Sequence, residues 1–310
     1  MRCLLSLYLF LTITFVSAQS TIRPEWEKHF GGNYEDQAKA ILPSGDGGYI
    51  LIGSTKSTGN GGKDAMLVKI SASGDVVWEK TFGKEMDDQA NAGVVSADGN
   101  YIITGSIFNK QISNNSWWVF AVDKNGNKLW ENSYGASEWD EAKAIVATTD
   151  GYVITGVRKN TGDHNKEMNV MKINKKGAKI WEVSFGVRYY DNEATAIAAT
   201  ADEGFIVTGW SKKDAGPTKQ IYLAKIDKRG AIEWQKGLGG EEVDCATSIA
   251  VTSDAGKFFC IAMGMQPLPV PMSSIFGSVS FDFLSFISCS TSSSVSGLGI
   301  KTCSFTFSFM

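Results

Sequence analysis

The chain has 310 residues, of which 43% are hydrophobic and 20% charged, the balance of a soluble globular protein with one large or two ordinary domains. Its net charge of -3 provides no broad basic field for nucleic acid or acidic membranes, so we expect neither as a partner. The 33 glycines and six prolines suit many short strands joined by tight turns.

The N-terminus, residues 1–18, predicts a secretory signal peptide. Arg2 supplies the positive start, residues 4–16 are almost wholly apolar, and residues 16–18 form a small-residue cleavage site before Gln19. No later segment is apolar for long enough to span a bilayer. We therefore expect a secreted, extracellular or cell-surface protein without a membrane span.

Tryptophan recurs at intervals of 52, 52, 51 and 53 residues, and a glycine follows each tryptophan five residues later. A fixed period near fifty indicates one supersecondary unit copied along the chain. Because these tryptophans recur in every copy, we interpret them as structural, packed between neighbouring units. They are Trp26, Trp78, Trp130, Trp181 and Trp234.

Each copy contains four short runs rich in Ile, Val, Tyr and Ala, separated by Asp-Gly or Lys-Gly turns that favour hairpins. A four-stranded unit of this length is typical of a β-propeller blade. We therefore predict an all-β propeller with four complete blades and a partial fifth, in an incomplete or open ring. The predicted blades are 36–83, 88–135, 140–186, 191–239 and a partial 244–256, and residues 25–30 are predicted to be an N-terminal clasp strand.

The tail, residues 257–310, departs from the repeat and contains only Lys257, Asp282 and Lys301 as charged residues. It could be a divergent end of the fifth blade or a sequence from another reading frame. We favour the second interpretation, under which the tail is disordered or aggregation-prone.

Acidic residues recur just before the first strand of each copy: Asp36, Asp88, Asp140, Asp191 and Asp244. A ring of carboxylates could hold a cation, but recurrence favours a turn-capping role. His29 and His164 lie in different copies, so we predict no metal site. Propeller glycosidases use a pair of catalytic carboxylates contributed by different blades. Such a pair stays a possibility for this chain, because one sequence cannot select its two members.

The loops between the second and third strands of each copy vary in length and content, at 54–63, 106–117, 157–168 and 210–220. Variable loops on a rigid scaffold are common binding sites, so a protein or glycan could bind there. The alternative is that they are solvated loops whose lysines only aid solubility. The candidate binding residues are Lys63, Phe108, Trp117, Trp139, Arg158 and Trp210.

Residues 121–130, which run from Ala-Val-Asp-Lys to Trp130, resemble the tryptophan-docking motif of quinoprotein-type propellers, and residues 226–234 repeat it. Over residues 26–256 the repeat is similar to secreted bacterial β-propeller repeat proteins. The quinoprotein resemblance would imply pyrroloquinoline quinone and calcium. The ligand pattern of that site is not visible in this sequence, so we expect no cofactor.

The sequence favours a non-catalytic binding scaffold. One alternative is an extracellular propeller enzyme, either glycan-cleaving or a quinoprotein-like dehydrogenase. Another is a truncated gene product without independent function. No catalytic residue can be named at this stage.

Overall fold

A computed structural model describes residues 25–135, 139–159, 165–213, 216, 218–239, 243–251 and 258–263, the last of these by their backbone alone. The predicted signal peptide and most of the predicted aberrant tail lie outside these residues. The described part of the chain is all-β and contains no helix that could cross a membrane.

Four four-stranded antiparallel sheets follow one another along the chain, each with its strands in sequential order. The second and third strands of each sheet are apolar and largely buried, whereas the fourth is mostly exposed. The first strand ranges from mostly exposed in sheet one to partly buried in sheets two to four. The fold class predicted from the sequence, β-propeller blades of four strands, is confirmed; the incomplete or open ring stays a prediction. The strands are β1 Asp36–Pro43, β2 Tyr49–Thr55, β3 Asp64–Ile70 and β4 Val76–Phe82; β5 Gln89–Val95, β6 Tyr101–Asn109, β7 Asn114–Val122 and β8 Lys128–Tyr134; β9 Trp139–Ala147, β10 Gly151–Lys159, β11 Lys166–Asn174 and β12 Lys179–Phe185; and β13 Tyr190–Ala199, β14 Phe205–Lys213, β15 Lys219–Ile226 and β16 Ile232–Leu238.

The hydrophobic core lies between successive sheets. The first strand of each sheet packs against the first, second and third strands of the sheet before it. Between sheets one and two, for example, Ile52 and Leu67 share one cluster with Ile103 and Phe120, all of them fully buried. Burial on this scale fixes each sheet against the next.

The repeated tryptophans join neighbouring sheets. The indole Nε1 of Trp78 donates a hydrogen bond to the carbonyl of Lys124 in the next sheet at 2.9 Å, and Trp181 reaches the carbonyl of Lys228 at 3.3 Å. Gly126 lies beneath the Trp78 ring, where a Cβ would stand 3.2 Å from ring carbons, and its φ of +78° also favours glycine. The tryptophan and the glycine of the following turn therefore recur together because one accommodates the other.

Within the described residues the segment 25–30 forms no strand. The last blade, with which the predicted clasp strand would pair, lies partly outside the described residues, so the clasp stays a prediction. Trp26 nonetheless docks on sheet one as Trp78 docks on sheet two, donating to the carbonyl of Ala72 at 3.0 Å and covering Gly74.

The fifth repeat extends further than predicted. Strand β17, Cys245–Val251, pairs with β18, Phe258–Met263, in the same bulged register as the first two strands of the complete sheets. The backbone of β18 forms this ladder without the Tyr-Ile-x-x-Gly sequence of the other copies. The predicted aberrant tail at 257–310 thus overlaps β18 at its start, residues 264–310 lie outside the described chain, and the origin of the tail stays a prediction.

Candidate active site on the first strands

Every first strand carries a β-bulge at an equivalent residue, and each bulged residue follows an alanine. In the four complete sheets a glycine of the second strand lies close beside the bulge: a Cβ on Gly156 would stand 2.1 Å from the carbonyl oxygen of Glu141, and one on Gly105 would stand 1.9 Å from that of Gln89. Bulges redirect side chains and are frequent beside active sites. The bulged residues are Lys39, Asn91, Lys143, Thr195 and Thr247.

Bulged side chains reach the next sheet. The amide of Asn91 donates to the carbonyl of Ala142 at 2.8 Å, and the hydroxyl of Thr195 donates to the equivalent carbonyl of Ala246 at 2.7 Å. Two different side chains therefore make the same bond at two junctions, and the first strands form a row of polar contacts.

The row contains a pair of glutamates from neighbouring sheets. The ammonium of Lys143 lies 2.8 Å from Glu141 Oε2 and 3.5 Å from Glu193 Oε1, so these two oxygens are at most 6.3 Å apart. Glu141 also accepts hydrogen bonds at 2.9 Å from the amides of Gln89 and Asn91. The side chains are 7% exposed for Glu141 and 16% for Glu193, so both carboxylates are largely withdrawn from water.

The position before the alanine differs among copies, in contrast to the repeated tryptophans. It is glutamine in the first two copies, glutamate in the third and fourth, and Cys245 in the fifth. Burial raises the pKa of the Cys245 thiol. Only the third and fourth copies place two acids on adjacent first strands of the described chain.

A cavity of about 350 Å³ opens where sheet three connects to sheet four. Glu167, Arg188, Tyr189 and Asn192 line it, and Asn192 directly precedes Glu193 on β13. Tyr189 is 61% exposed with a φ of +63°, an uncommon backbone conformation for a bulky residue and one that clusters at functional sites. The guanidinium carbon of Arg188 lies 4.8 Å from the Tyr189 ring centroid. An aromatic ring and a cation therefore border this cavity, whose lining includes neither Glu141 nor Glu193.

The recurrent acids cap turns, as their recurrence predicted. Asp88 accepts backbone N–H bonds from Lys84 at 2.6 Å and Phe108 at 2.7 Å. In sheet four, Asn192 takes this place instead of the predicted Asp191: its Oδ1 accepts from the Val187 backbone at 3.0 Å. The loop before β13 holds one more residue than its counterparts, which moves the strand register by one.

Two of the predicted binding residues lie near the first loop. Lys63 pairs with Glu35 at 3.3 Å, and its backbone N–H donates to Asp87 at 2.8 Å. Phe108 is half-buried at the end of β6, with its backbone holding Asp88. Within the described chain, no contact joins the side chain of Lys63 or Phe108 to the glutamate pair.

Trp117 is 3% exposed and belongs to the core between sheets two and three, donating to the carbonyl of Val157 at 2.9 Å. Its predicted place in a binding loop is therefore wrong, because its indole is needed for packing. Trp139 and Trp210 each lie under a lysine ammonium, of Lys166 at 4.6 Å and of Lys219 at 3.6 Å from the ring centroid. Their predicted binding role stays a prediction.

Arg158 bonds to Glu182 and lies 3.8 Å from Asp140, both in sheet three. The structure therefore places the six predicted binding residues on four different sheets, with Phe108 and Trp117 on neighbouring strands of sheet two and Trp139 and Arg158 on neighbouring strands of sheet three. Groups of three or more metal-binding side chains are absent from the residues that the structure describes.

The sequence matches no protein-family model and no curated protein sequence. Among solved structures, an α-L-arabinofuranosidase from Fusarium graminearum is 11% identical, with a TM-score of 0.44 over 73% of this chain and 88% of that one. An exo-1,5-α-L-arabinanase from a bovine ruminal metagenomic library is 13% identical, with a TM-score of 0.35 over 64% and 76%. The tail fibre of a Staphylococcus aureus phage is 10% identical, with a TM-score of 0.33 over 71% and 44%.

These matches correct the main functional expectation from the sequence. The sequence favoured a non-catalytic scaffold, whereas the arabinofuranosidase and the arabinanase among these neighbours are enzymes, so the findings run against that expectation. At identities of 13% or less and TM-scores below 0.5, the matches assign a role to no residue of this chain. Any catalytic role of this chain therefore depends on the positions of its own carboxylates.

Proposed function

We propose that the protein is a secreted glycan-cleaving enzyme whose reaction centre is the pair Glu141 and Glu193. The observation that carries this proposal is the meeting of two buried carboxylates, from neighbouring sheets, on the ammonium of Lys143 at 2.8 and 3.5 Å. Glycoside hydrolysis uses two carboxyl groups about 5 to 9.5 Å apart, one to protonate the leaving oxygen and one to attack or to activate water. An upper limit of 6.3 Å between the nearest oxygens suits that chemistry.

The surroundings of the two glutamates differ, which suggests different roles. Glu141 is held by Lys143, Gln89 and Asn91, and these three donors favour a fixed carboxylate that acts as nucleophile or base. Glu193 has only the longer contact to Lys143, so its negative charge is stabilised less than that of Glu141, and we assign it to proton donation. Catalytic pairs commonly divide the roles of acid and base by such differences in environment.

The cavity at the start of β13 supports a saccharide as the substrate. Its volume of about 350 Å³ is within the usual range for small-ligand sites, about 300 to 1,000 Å³. The exposed ring of Tyr189 offers an apolar face to a sugar, and Arg188 borders it with a cation. The predicted signal peptide supports an extracellular setting for a glycan substrate.

The test is turnover of a glycan panel that includes arabinans, with release of reducing ends as the readout. Glu141→Gln and Glu193→Gln should each lower kcat/KM by about 10² to 10⁴-fold, the usual contribution of a general acid or base. Glu203→Gln is the matched control, because Glu203 is 68% exposed in the turn between β13 and β14, at the opposite end of the sheet. Full activity in both glutamine variants, or no turnover of any glycan by wild type, would refute the proposal.

A further inference from the structure

Two carboxylates meet at the junction of sheets one and two, away from the glutamate pair. Asp64 begins β3 and Asp88 directly precedes β5, and both residues are fully buried. A Cβ on Gly83 would stand 2.0 Å from Asp64 Oδ1 and 3.0 Å from Asp88 Oδ2, so these oxygens are at most 5.0 Å apart. The missing side chain of Gly83 leaves them a shared space.

One oxygen in this space has no hydrogen-bond partner. Asp64 Oδ2 accepts the backbone N–H of Asn60 at 2.8 Å, whereas the buried Oδ1 accepts none within the described chain. A buried carboxylate oxygen without a partner is costly and calls for a compensating group. Both oxygens of Asp88, by contrast, accept backbone N–H bonds.

The local charge is negative. Burial raises the pKa of Asp64, and the Asp87 carboxylate raises it further. Burial also raises the pKa of Asp88, with a further rise from Asp64 that outweighs the opposing charge of Lys84. The ammonium of Lys63 pairs instead with Glu35.

The repeat does not require an acid at this place. In the strand register the counterparts of Asp64 in sheets two, three and four are Ser116, Glu167 and Gln220. The second copy folds with a serine there, so packing alone does not account for a buried aspartate in the first. A role specific to this junction is indicated.

We propose that Asp64 and Asp88 bind one calcium ion between the loops of sheets one and two. Calcium takes oxygen ligands at about 2.3 to 2.6 Å, so two ligands up to about 5 Å apart can share one ion. The loop before Asp64 is rich in Ser, Thr, Asn and Gly, and Asp87 lies beside it, with Oδ1 accepting the Lys63 backbone N–H. Oxygen donors of this kind favour calcium over zinc or copper. The ion would fix loop 56–63 against the segment that leads into sheet two.

The test uses the full chain, stripped of metal with a chelator and titrated with calcium. Two carboxylates should give a weak site, with a Kd of about 10⁻⁴ to 10⁻³ M and one ion per chain by calorimetry. Calcium should raise the Tm of wild type and of Asp75→Asn, the matched control, whose carboxylate is 67% exposed in the turn between β3 and β4. Asp64→Asn should fold and lose both the binding and the rise in Tm.

If Asp64→Asn does not fold, Asp64→Ser serves in its place, because the second copy carries Ser116 there. An unchanged wild-type Tm at about ten times the expected Kd would overturn the proposal and indicate that a shared proton neutralises the pair. Calcium binding that survives in the Asp64 variant would also overturn it. Glycan turnover is not part of this readout, so the result is independent of the proposed function.

Discussion

Removing the indole of Trp78 tests whether the repeated tryptophans hold the sheets together. The ring packs over Gly126 of sheet two and against the core that sheets one and two share, and Nε1 donates to Lys124. Trp78→Ala deletes both the packing and the hydrogen bond. The junction between the first two sheets should weaken, because only the side chain of Lys80 would still contact the glycine from that side.

The expected magnitude follows from the area that the indole buries. Trp78 is partly buried, so we take roughly 150 Å², the lower end for an aromatic side chain. At about 25 cal/mol per Å² this is about 4 kcal/mol, and residual burial in the unfolded chain reduces it by up to about 40%. The lost hydrogen bond adds about 1 kcal/mol. We therefore expect Trp78→Ala to lower the free energy of unfolding by about 3 to 5 kcal/mol.

Urea unfolding followed by far-ultraviolet circular dichroism measures this loss. Val77→Ala is the control, since Val77 is the neighbouring residue on the same strand and is 60% exposed. The control should change the free energy of unfolding by about 0.5 kcal/mol or less. A loss below about 1 kcal/mol in Trp78→Ala would refute the assignment of the tryptophans to the junctions.

Two further predictions concern the frame and its charges. Gly105→Ala should lower the free energy of unfolding by about 1 to 3 kcal/mol or more in urea titrations, because its Cβ would stand 1.9 Å from the Gln89 carbonyl oxygen. The control is Gly237→Ala, which should change the free energy of unfolding little, because the new Cβ would have no neighbour nearer than 3.9 Å. The pKa of Asp202 is lowered from 3.8 to about 2, mainly by the hydrogen bond from the Thr200 hydroxyl and next by the bond from the Lys225 ammonium. The ionised Asp202 therefore stabilises the fold fully above about pH 4, and this contribution is lost as the pH falls towards 2. Thermal unfolding should therefore show a shallower loss of Tm between pH 4 and pH 2 in the Thr200→Val, Lys225→Met double variant, and an unchanged slope would contradict this.

The sequence predicted the fold class because the signals that define it are local. Each tryptophan and the glycine of the next turn recur at a fixed spacing, and the strands between them follow from turn residues and β-branched runs. Asp191 shows the limit of spacing alone. It stands five residues after Gly186, as the other acids do, yet the extra loop residue beside Tyr189 brings Asn192 into the capping place.

The glutamate pair could not be selected from one copy, because Glu141 and Glu193 belong to different sheets. They are nevertheless 52 residues apart, one repeat period, and so they occupy the same place on adjacent first strands. Comparison of that position across the copies, glutamine twice, glutamate twice and cysteine once, was the available signal. The candidate binding residues did not include this pair. They were chosen from loops that vary in length among the copies, whereas the glutamates lie at one fixed position of the first strands, where the residue type varies.

The first strands explain why chemistry can vary inside so regular a frame. The alanine between each variable residue and its bulged neighbour is fully buried in copies two to five, where a larger side chain would meet the adjoining sheet. The residues on either side of it are under no such restriction, so Gln-Ala-Asn, Glu-Ala-Lys and Glu-Ala-Thr fit the same backbone. The constant alanine and, in the four complete sheets, the second-strand glycine accompany the bulge, and the bulge fixes where the flanking side chains point. Substitution at the flanking positions can therefore change the proposed reaction centre without disturbing the blade, and in this chain it has placed two acids and one lysine at a single junction.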